Sequence, residues 1–203
     1  VETAELSIFE APRFFEALLV GRDAREAIDI TARICGICPV AYQLSGTDAI
    51  EAAWDVRPGP EIAALRRLLL CGEWIGSHAL HVHLLHAPDF LGYPDGMAMA
   101  RDHPEVVRRG LKLKQYGNRI MATIGGREIH PVNLKVGGFH RAPSRAAIGD
   151  LRQTAEWAVG AAEETVRWVA GLDFPDFSRS YRFVAIRPGS GYPLAPGPVG
   201  STV

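Results

Sequence analysis

Three prolines, each at the start of a helical pattern, restrict the fold of this 203-residue chain more than any other feature. Proline at the first helical position loses no hydrogen bond, and its fixed φ suits the start of a helix. We therefore predict helices that begin near Pro39, Pro60 and Pro104. The second is expected to continue through the letters HLLHA and to stop before Pro88, and the third to end near Ile124.

The remaining elements are shorter or less regular. Residues 12–27 carry a helical pattern, and Ser144 is a suitable N-cap for a helix that reaches about Gly171. The run VNLKV, which lies between two glycine pairs, alternates as a strand or a hairpin arm does. The opening VETAELSIFEAPRFF and the later RSYRFVAI are predicted strands, whereas the Gly- and Pro-rich tail IRPGSGYPLAPGPVGSTV predicts an exposed loop.

These patterns predict a mainly α fold with small β additions. Its helical-bundle core would be formed by the helices that begin near Pro60, Pro104 and Ser144. Apolar residues at helical spacing mark the expected buried faces of two helices. For the helix after Pro39 they are Leu44, Ala49, Ile50 and Ala53. For the helix after Ser144 they are Ala155, Val159, Ala162, Val166 and Val169.

Composition limits the partners and the cellular compartment that we expect for the chain. It is 47% hydrophobic with a net charge of -1, which gives no reason to expect nucleic acid or an anionic membrane as a partner. No apolar run approaches the ~20 residues that a membrane-spanning helix needs, so we expect no membrane insertion. Three cysteines cannot build a disulfide framework, and no signal-peptide pattern is seen, which favours the cytoplasm. Because Val1 is not methionine and the tail is irregular, we expect residues 1–203 to be a single partial domain, incomplete at both ends.

Two of the three cysteines, Cys35 and Cys38, lie in the sequence RICGIC. A structural zinc site needs four Cys or His ligands, and the third cysteine, Cys71, suits a small buried apolar residue better than a ligand. A redox pair would follow a strand in a βαβ unit, yet the surroundings here are helical. Two thiolates on one turn can converge on a soft metal, and Gly36 between them is expected to let the backbone bend tightly.

Four histidines occur close together in HALHVHLLHA. On one α-helix His78 and His81 lie about a turn apart, as do His83 and His86, but the two pairs do not share a face. We therefore do not expect a compact site of four histidine ligands.

Three segments of the chain together resemble the large subunit of nickel–iron hydrogenases. PRFFEALLVGRDAREAIDITARICGICPVAYQLSGTDAIEAA resembles the region around that family's first metal-binding motif, RxCGxC. HALHVHLLHAPDFLG is similar to its histidine-rich helix, and IGGREIHPVNLKVGGF to its GG-x-x-x-HP segment. The three occur in the family's order. Tyr42, where many members carry histidine, is most similar to the cytoplasmic, multisubunit, NAD(P)-linked branch.

The resemblance implies a reaction and a cofactor. The family cleaves H2 reversibly and heterolytically to protons and electrons, at a nickel held by four thiolates and an iron that carries CO and cyanide. At the matching positions, Cys35 would be a terminal nickel ligand and Cys38 a ligand that bridges nickel and iron. Arg33 would be a cation beside this catalytic centre. Glu16 matches a glutamate that binds a second, structural divalent metal such as magnesium in some members.

The resemblance also implies partners and missing parts. An iron–sulfur small subunit would take the electrons, and diaphorase-type subunits that react with NAD(P), or a ferredoxin, would receive them. The family's early R-x-E-G segment and its late DPCxxC motif do not occur in these residues, so we expect the chain to be inactive alone. Two alternatives are a non-catalytic scaffold related to the quinone-side subunit of respiratory complex I and a zinc-binding module. Metal analysis would separate the three.

Overall fold

The computed structural model describes residues 3–187 and 199–202, and most of them are helical. The helices are α1 Phe15–Leu19, α2 Ala24–Thr31, α3 Pro39–Trp54, α4 Pro60–Leu80, α5 Ala87–Leu91, α6 Gly96–Asp102, α7 Pro104–Gly125 and α8 Arg145–Val169. A π-helical segment, His81–His86, joins α4 to α5. Two antiparallel hairpins pair β1 Leu134–Lys135 with β2 Gly138–Phe139, and β3 Val184–Ile186 with β4 Val199–Ser201. The predicted mainly α fold with small β additions is confirmed.

The core lies between α4, α7 and α8, the three helices predicted to form it. Small residues let α4 and α7 approach very closely. A Cβ on Gly117 of α7 would lie 2.5 Å from the Gly72 carbonyl oxygen and 2.6 Å from the Gly76 backbone nitrogen on α4. Around this contact, side chains of Leu69, Ile120 and Ile124 are fully buried. The glycines are therefore needed for the closest approach of two helix backbones in this core.

A buried ion pair fastens the β1–β2 hairpin to α3 and α4. The Arg66 guanidinium donates to both carboxylate oxygens of Glu51, at 2.7 and 2.6 Å, and both side chains are buried. Glu51 also accepts from the Gly137 backbone N–H at 2.6 Å, and Arg66 donates to the Lys135 carbonyl at 3.2 Å. These bonds place the hairpin turn against the helices and leave both charges paired.

Several local predictions are wrong. The helix predicted over residues 12–27 is broken, because Gly21 has a left-handed φ of 75° and the side chain of Asp23 caps a new helix, α2. Residues 3–14 form no regular element. The helix after Pro60 ends at Leu80, earlier than predicted, but helical backbone continues past Pro88 instead of stopping before it. Residues His81–His86 form the π-helical segment. Pro88 lies in the first turn of α5, where proline loses no helical hydrogen bond.

The tail and the helix faces also differ from prediction. Most of the predicted tail loop, residues 188–198, lies outside the described residues, but Val199–Ser201 forms strand β4. On α3 the predicted apolar face is found only in part, since Leu44 is buried and Ile50 half-buried but Ala49 and Ala53 are exposed. The polar residues Gln43, Thr47 and Glu51 are buried instead. Among the described residues, no helix is long and apolar enough to cross a membrane.

Candidate metal centre

The loop between α2 and α3 wraps around the sulfur of Cys35. The Cys35 Sγ accepts hydrogen bonds from the backbone N–H groups of Ile37 at 3.3 Å and Cys38 at 3.2 Å. Cys38 occupies the N-cap position of α3, and Pro39 follows it as the first helical residue. Both cysteines are half-buried and unoxidised. The RICGIC segment therefore ends with two thiols at the start of a helix, where backbone N–H groups favour negative charge.

The two thiols have unequal acidity. Burial opposes ionisation of Cys35, but a hydrogen bond from the Cys38 thiol and two backbone N–H donors outweigh it, so its pKa lies below the ordinary value. Burial, the hydrogen bond donated to Cys35, and the nearby charges of Cys35 and Glu73 raise the pKa of Cys38 to about 11. Cys35 is therefore the first of the pair to become a thiolate, which is the form that binds metal.

A buried carboxylate on α4 supports the start of α3. Glu73, only 2% exposed, accepts hydrogen bonds from the backbone N–H groups of Val40 at 2.5 Å and Ala41 at 3.1 Å. These first-turn groups have no partner within α3, and no side chain at Cys38 caps them. Burial raises the pKa of Glu73 to about 7, against the lowering effect of the two N–H donors.

Glu73 was not predicted as a site residue. The available signal was that it is the single charged residue in the stretch LLLCGEWIGS, residues 68–77. A charge within an apolar helical stretch is buried only where it has partners. Those partners belong to a different helix, so the sequence could indicate that Glu73 is unusual but not which groups it binds.

The GG-x-x-x-HP segment forms hydrogen bonds on both sides of the cysteine loop. His130 Nδ1 donates to the Ala32 carbonyl at 2.8 Å, directly before Arg33. On the far side of the loop, Gln43 Nε2 donates to the Pro131 carbonyl at 2.6 Å. Neighbouring residues of one segment thus bind the end of α2 and the second turn of α3. Two segments quoted for the resemblance are in direct contact here.

The other predicted site residues are not joined to the thiols. Arg33 is exposed two residues before Cys35, and its side chain forms no hydrogen bond or ion pair within residues 3–187 and 199–202. Glu16 is exposed in the first turn of α1, a helix that buries none of its residues. Across the described part of the chain, no three His, Cys, Asp or Glu side chains form a group that could hold a metal ion.

The expected conformational role of Gly36 is not seen. Its φ does not lie in the left-handed region, and a Cβ placed on it would meet no atom within 4 Å. An alanine would therefore fit this loop as the structure has it. The tight turn depends on the hydrogen bonds to Cys35 Sγ instead.

The chemistry of the donors fits part of a soft-metal site. Two thiols lie on one turn, and Cys35 has a lowered pKa, as a thiolate ligand for nickel or zinc requires. Four-coordinate thiolate sites need two more ligands than the pair supplies. Cys71 does not supply one of them, because it is half-buried in an apolar groove between α4, α7 and α8. Cys35 and Cys38 therefore fit half of a tetrathiolate donor set.

Comparison with known proteins shows which family is similar to the segment that contains this cysteine pair. The model of the nickel-dependent hydrogenase family matches residues 13–105, which include both cysteines of the loop. Residues 13–105 therefore have the pattern of the nickel-dependent hydrogenase family. Among the chain's curated relatives, the sulfhydrogenase 2 subunit alpha of Pyrococcus furiosus is 43% identical over 82% of the chain. The sulfhydrogenase 1 subunit alpha of the same organism is 36% identical over 93% of it.

A solved hydrogenase has the same fold. A NAD+-reducing NiFe-hydrogenase in its H2-reduced state matches 93% of the chain with a TM-score of 0.87 and 28% identity. The chain covers 40% and 44% of the two Pyrococcus subunits and 46% of the solved chain. It therefore spans less than half the length of each of these relatives.

Proposed function

We propose that the chain is part of the hydrogen-activating subunit of a nickel–iron hydrogenase, which converts H2 reversibly to protons and electrons. The observation that carries this proposal is the Cys35–Cys38 pair at the start of α3, where the Cys38 backbone N–H donates to the Cys35 sulfur, within the segment that the family model matches. Non-catalytic scaffolding would not require two converging thiols with one made more acidic. Residues 1–203 would form one partial domain of that subunit.

Each cysteine has a distinct task in this proposal. Cys35 would be a terminal nickel ligand, and Cys38 a ligand shared by nickel and iron. When bound, a nickel–iron centre with CO and cyanide on its iron would supply the heterolytic cleavage of H2. The backbone N–H groups of Ile37 and Cys38 orient the Cys35 sulfur and favour its ionised form. The carboxylate of Glu73 holds the first turn of α3, and with it the position of Cys38.

Arg33 and Glu16 would serve outside the thiol pair. The Arg33 guanidinium is a cation two residues from Cys35 and would offset the negative charge that thiolate ligands bring to the centre. Glu16, with its free and exposed carboxylate, would be one ligand of a separate divalent metal such as magnesium, which prefers oxygen donors. Further ligands for that metal would come from other parts of the subunit.

Electrons would leave through other polypeptides. An iron–sulfur small subunit would receive them, because no cysteine set for a cluster occurs in this sequence. The resemblance to a NAD+-reducing hydrogenase supports NAD(P), reached through diaphorase-type subunits, as the final acceptor, with ferredoxin as the other choice. A cytoplasmic setting agrees with a nicotinamide acceptor.

The test is made on the holoenzyme that contains this chain. Cys35→Ser and Cys38→Ser should each remove bound nickel and H2-dependent reduction of a viologen dye, whereas the matched control Cys71→Ser should keep both. Elemental analysis of the purified protein accompanies the assay. Zinc alone in the parent enzyme would overturn the proposal in favour of a zinc module, and no metal at all in favour of a complex I-type scaffold.

A further inference from the structure

Two exposed imidazoles lie side by side on the π-helical segment. The rings of His81 and His86 have centroids 4.7 Å apart and planes inclined by 49°. Both residues are exposed. Their positions are five apart in the sequence, which on an α-helix would put them about 140° apart around the axis.

The π turn brings the pair together. In a π-helix the hydrogen bond spans five residues, so residues five apart lie one above the other. The backbone N–H of Ala87 accordingly donates to the Val82 carbonyl. The prediction from α-helical spacing grouped His81 with His78 and His86 with His83, and the pairing found in the structure is different. This change of register creates a surface histidine pair that the sequence pattern does not indicate.

We propose that His81 and His86 form a two-histidine binding site for a late first-row divalent cation, of the class of zinc, nickel or copper. Imidazole is a preferred ligand of these ions, with metal–nitrogen distances of about 2.0–2.1 Å. Two imidazoles bound to neighbouring positions of one ion then have ring centroids about 4.5–5 Å apart. The observed separation of 4.7 Å lies in this interval, and among the described residues neither imidazole forms a hydrogen bond or an ion pair.

The neighbouring histidines are engaged elsewhere. His78 Nδ1 lies 2.7 Å from the Trp74 carbonyl. His83 is fully buried, with Nδ1 3.1 Å from the Ala79 carbonyl and Nε2 3.3 Å from Thr165 Oγ1. Within the described residues no third His, Cys, Asp or Glu completes a larger ligand group, so water would fill the other positions. The site is separate from the cysteine pair and does not depend on the proposed hydrogenase function.

The experiment isolates the histidine pair from the thiols. The parent is the full 203-residue chain with Cys35→Ser, Cys38→Ser and Cys71→Ser, titrated with Zn²⁺ alone by calorimetry. We expect one bound Zn²⁺ per chain, and a loss of affinity of about tenfold or more in either His81→Ala or His86→Ala. His78→Ala is the matched control on the same helical surface and should bind as the parent does.

A second probe reports on the ligands directly. Cu²⁺ bound to the parent should give an electron paramagnetic resonance spectrum with coupling to two imidazole nitrogens, and to fewer in His81→Ala or His86→Ala. Circular dichroism checks that each variant keeps its helices. Unchanged Zn²⁺ affinity in both single variants, or equal loss in His78→Ala, would overturn the assignment.

Discussion

Glu73 on α4 accepts a hydrogen bond from the backbone N–H of Val40 on α3 at 2.5 Å, and so a carboxylate from one helix caps the start of another. Val40 follows Cys38 by two residues. The contact therefore fixes the direction in which α3 leaves the cysteine loop. It also requires a carboxylate that is only 2% exposed, which has consequences for stability.

Glu73→Gln should change how stability depends on pH. Burial raises the pKa of Glu73 from 4.5 to about 7, so between these values the folded chain keeps a proton that the unfolded chain releases. Its contribution to the free energy of unfolding therefore falls as pH rises from 4.5 to 7. Across this interval the variant should gain roughly 3 kcal/mol relative to wild type. Urea unfolding at a series of pH values measures this, and parallel pH profiles for the two proteins would contradict it.

Gly117→Ala should be strongly destabilising. The added methyl group would lie within 2.6 Å of backbone atoms of Gly72 and Gly76, which no side-chain rotation can relieve. We expect a loss of about 3 kcal/mol or more in the free energy of unfolding. Gly149→Ala is the matched control, since that glycine lies in α8 with nothing within 4 Å of its Cβ position. It should gain about 1 kcal/mol from helix propensity alone, and equal effects in both variants would refute the close helix contact.

Arg66→Leu should cost about 3–5 kcal/mol of unfolding free energy, because it leaves the buried Glu51 carboxylate without its charged partner. Thermal or urea unfolding gives the value. Arg57→Leu removes a guanidinium that donates two hydrogen bonds to one carboxylate oxygen of Asp55, but both of those side chains are exposed. That control should change stability by less than about 1 kcal/mol. A small effect at Arg66 would mean that the ion pair is hydrated.

Local signals predicted the main helices well. Pro39, Pro60 and Pro104 each begin a helix, and the Ser144 side chain accepts the capping hydrogen bond from Ala147 at 3.1 Å. Such signals depend on a few neighbouring residues, which the sequence contains in full. The CxxC spacing likewise predicted that both cysteines lie on one turn, and the Cys38 backbone N–H donates to the Cys35 sulfur. Their role as metal ligands stays a prediction.

Features that depend on distant partners were not predicted. α3 buries Gln43 and Glu51, which form hydrogen bonds to Pro131 and Gly137 far along the chain, and the periodicity of apolar residues could not indicate these partners. On α8 the predicted buried stripe is wrong, because Val159 and Val166 are 59% and 68% exposed and Ala162 is exposed too. The buried residues of this helix are Leu151, Ala158 and Ala161. Val159 and Val166 line the apolar groove with Trp74 and Val82. Periodicity identifies a face but not whether another element covers it.

The chain alone should bind nickel weakly and evolve no hydrogen. Its cysteine loop supplies two thiolates where the proposed centre needs four, and no further ligand group forms among the described residues. Equilibrium dialysis with Ni²⁺ on the isolated chain should therefore show reversible binding that Cys35→Ser or Cys38→Ser removes and Cys71→Ser retains. Because His81 and His86 can also bind Ni²⁺, the comparison is made in the His81→Ala/His86→Ala background. Tight, stoichiometric nickel that survives dialysis against a chelator would contradict the need for a second cysteine pair.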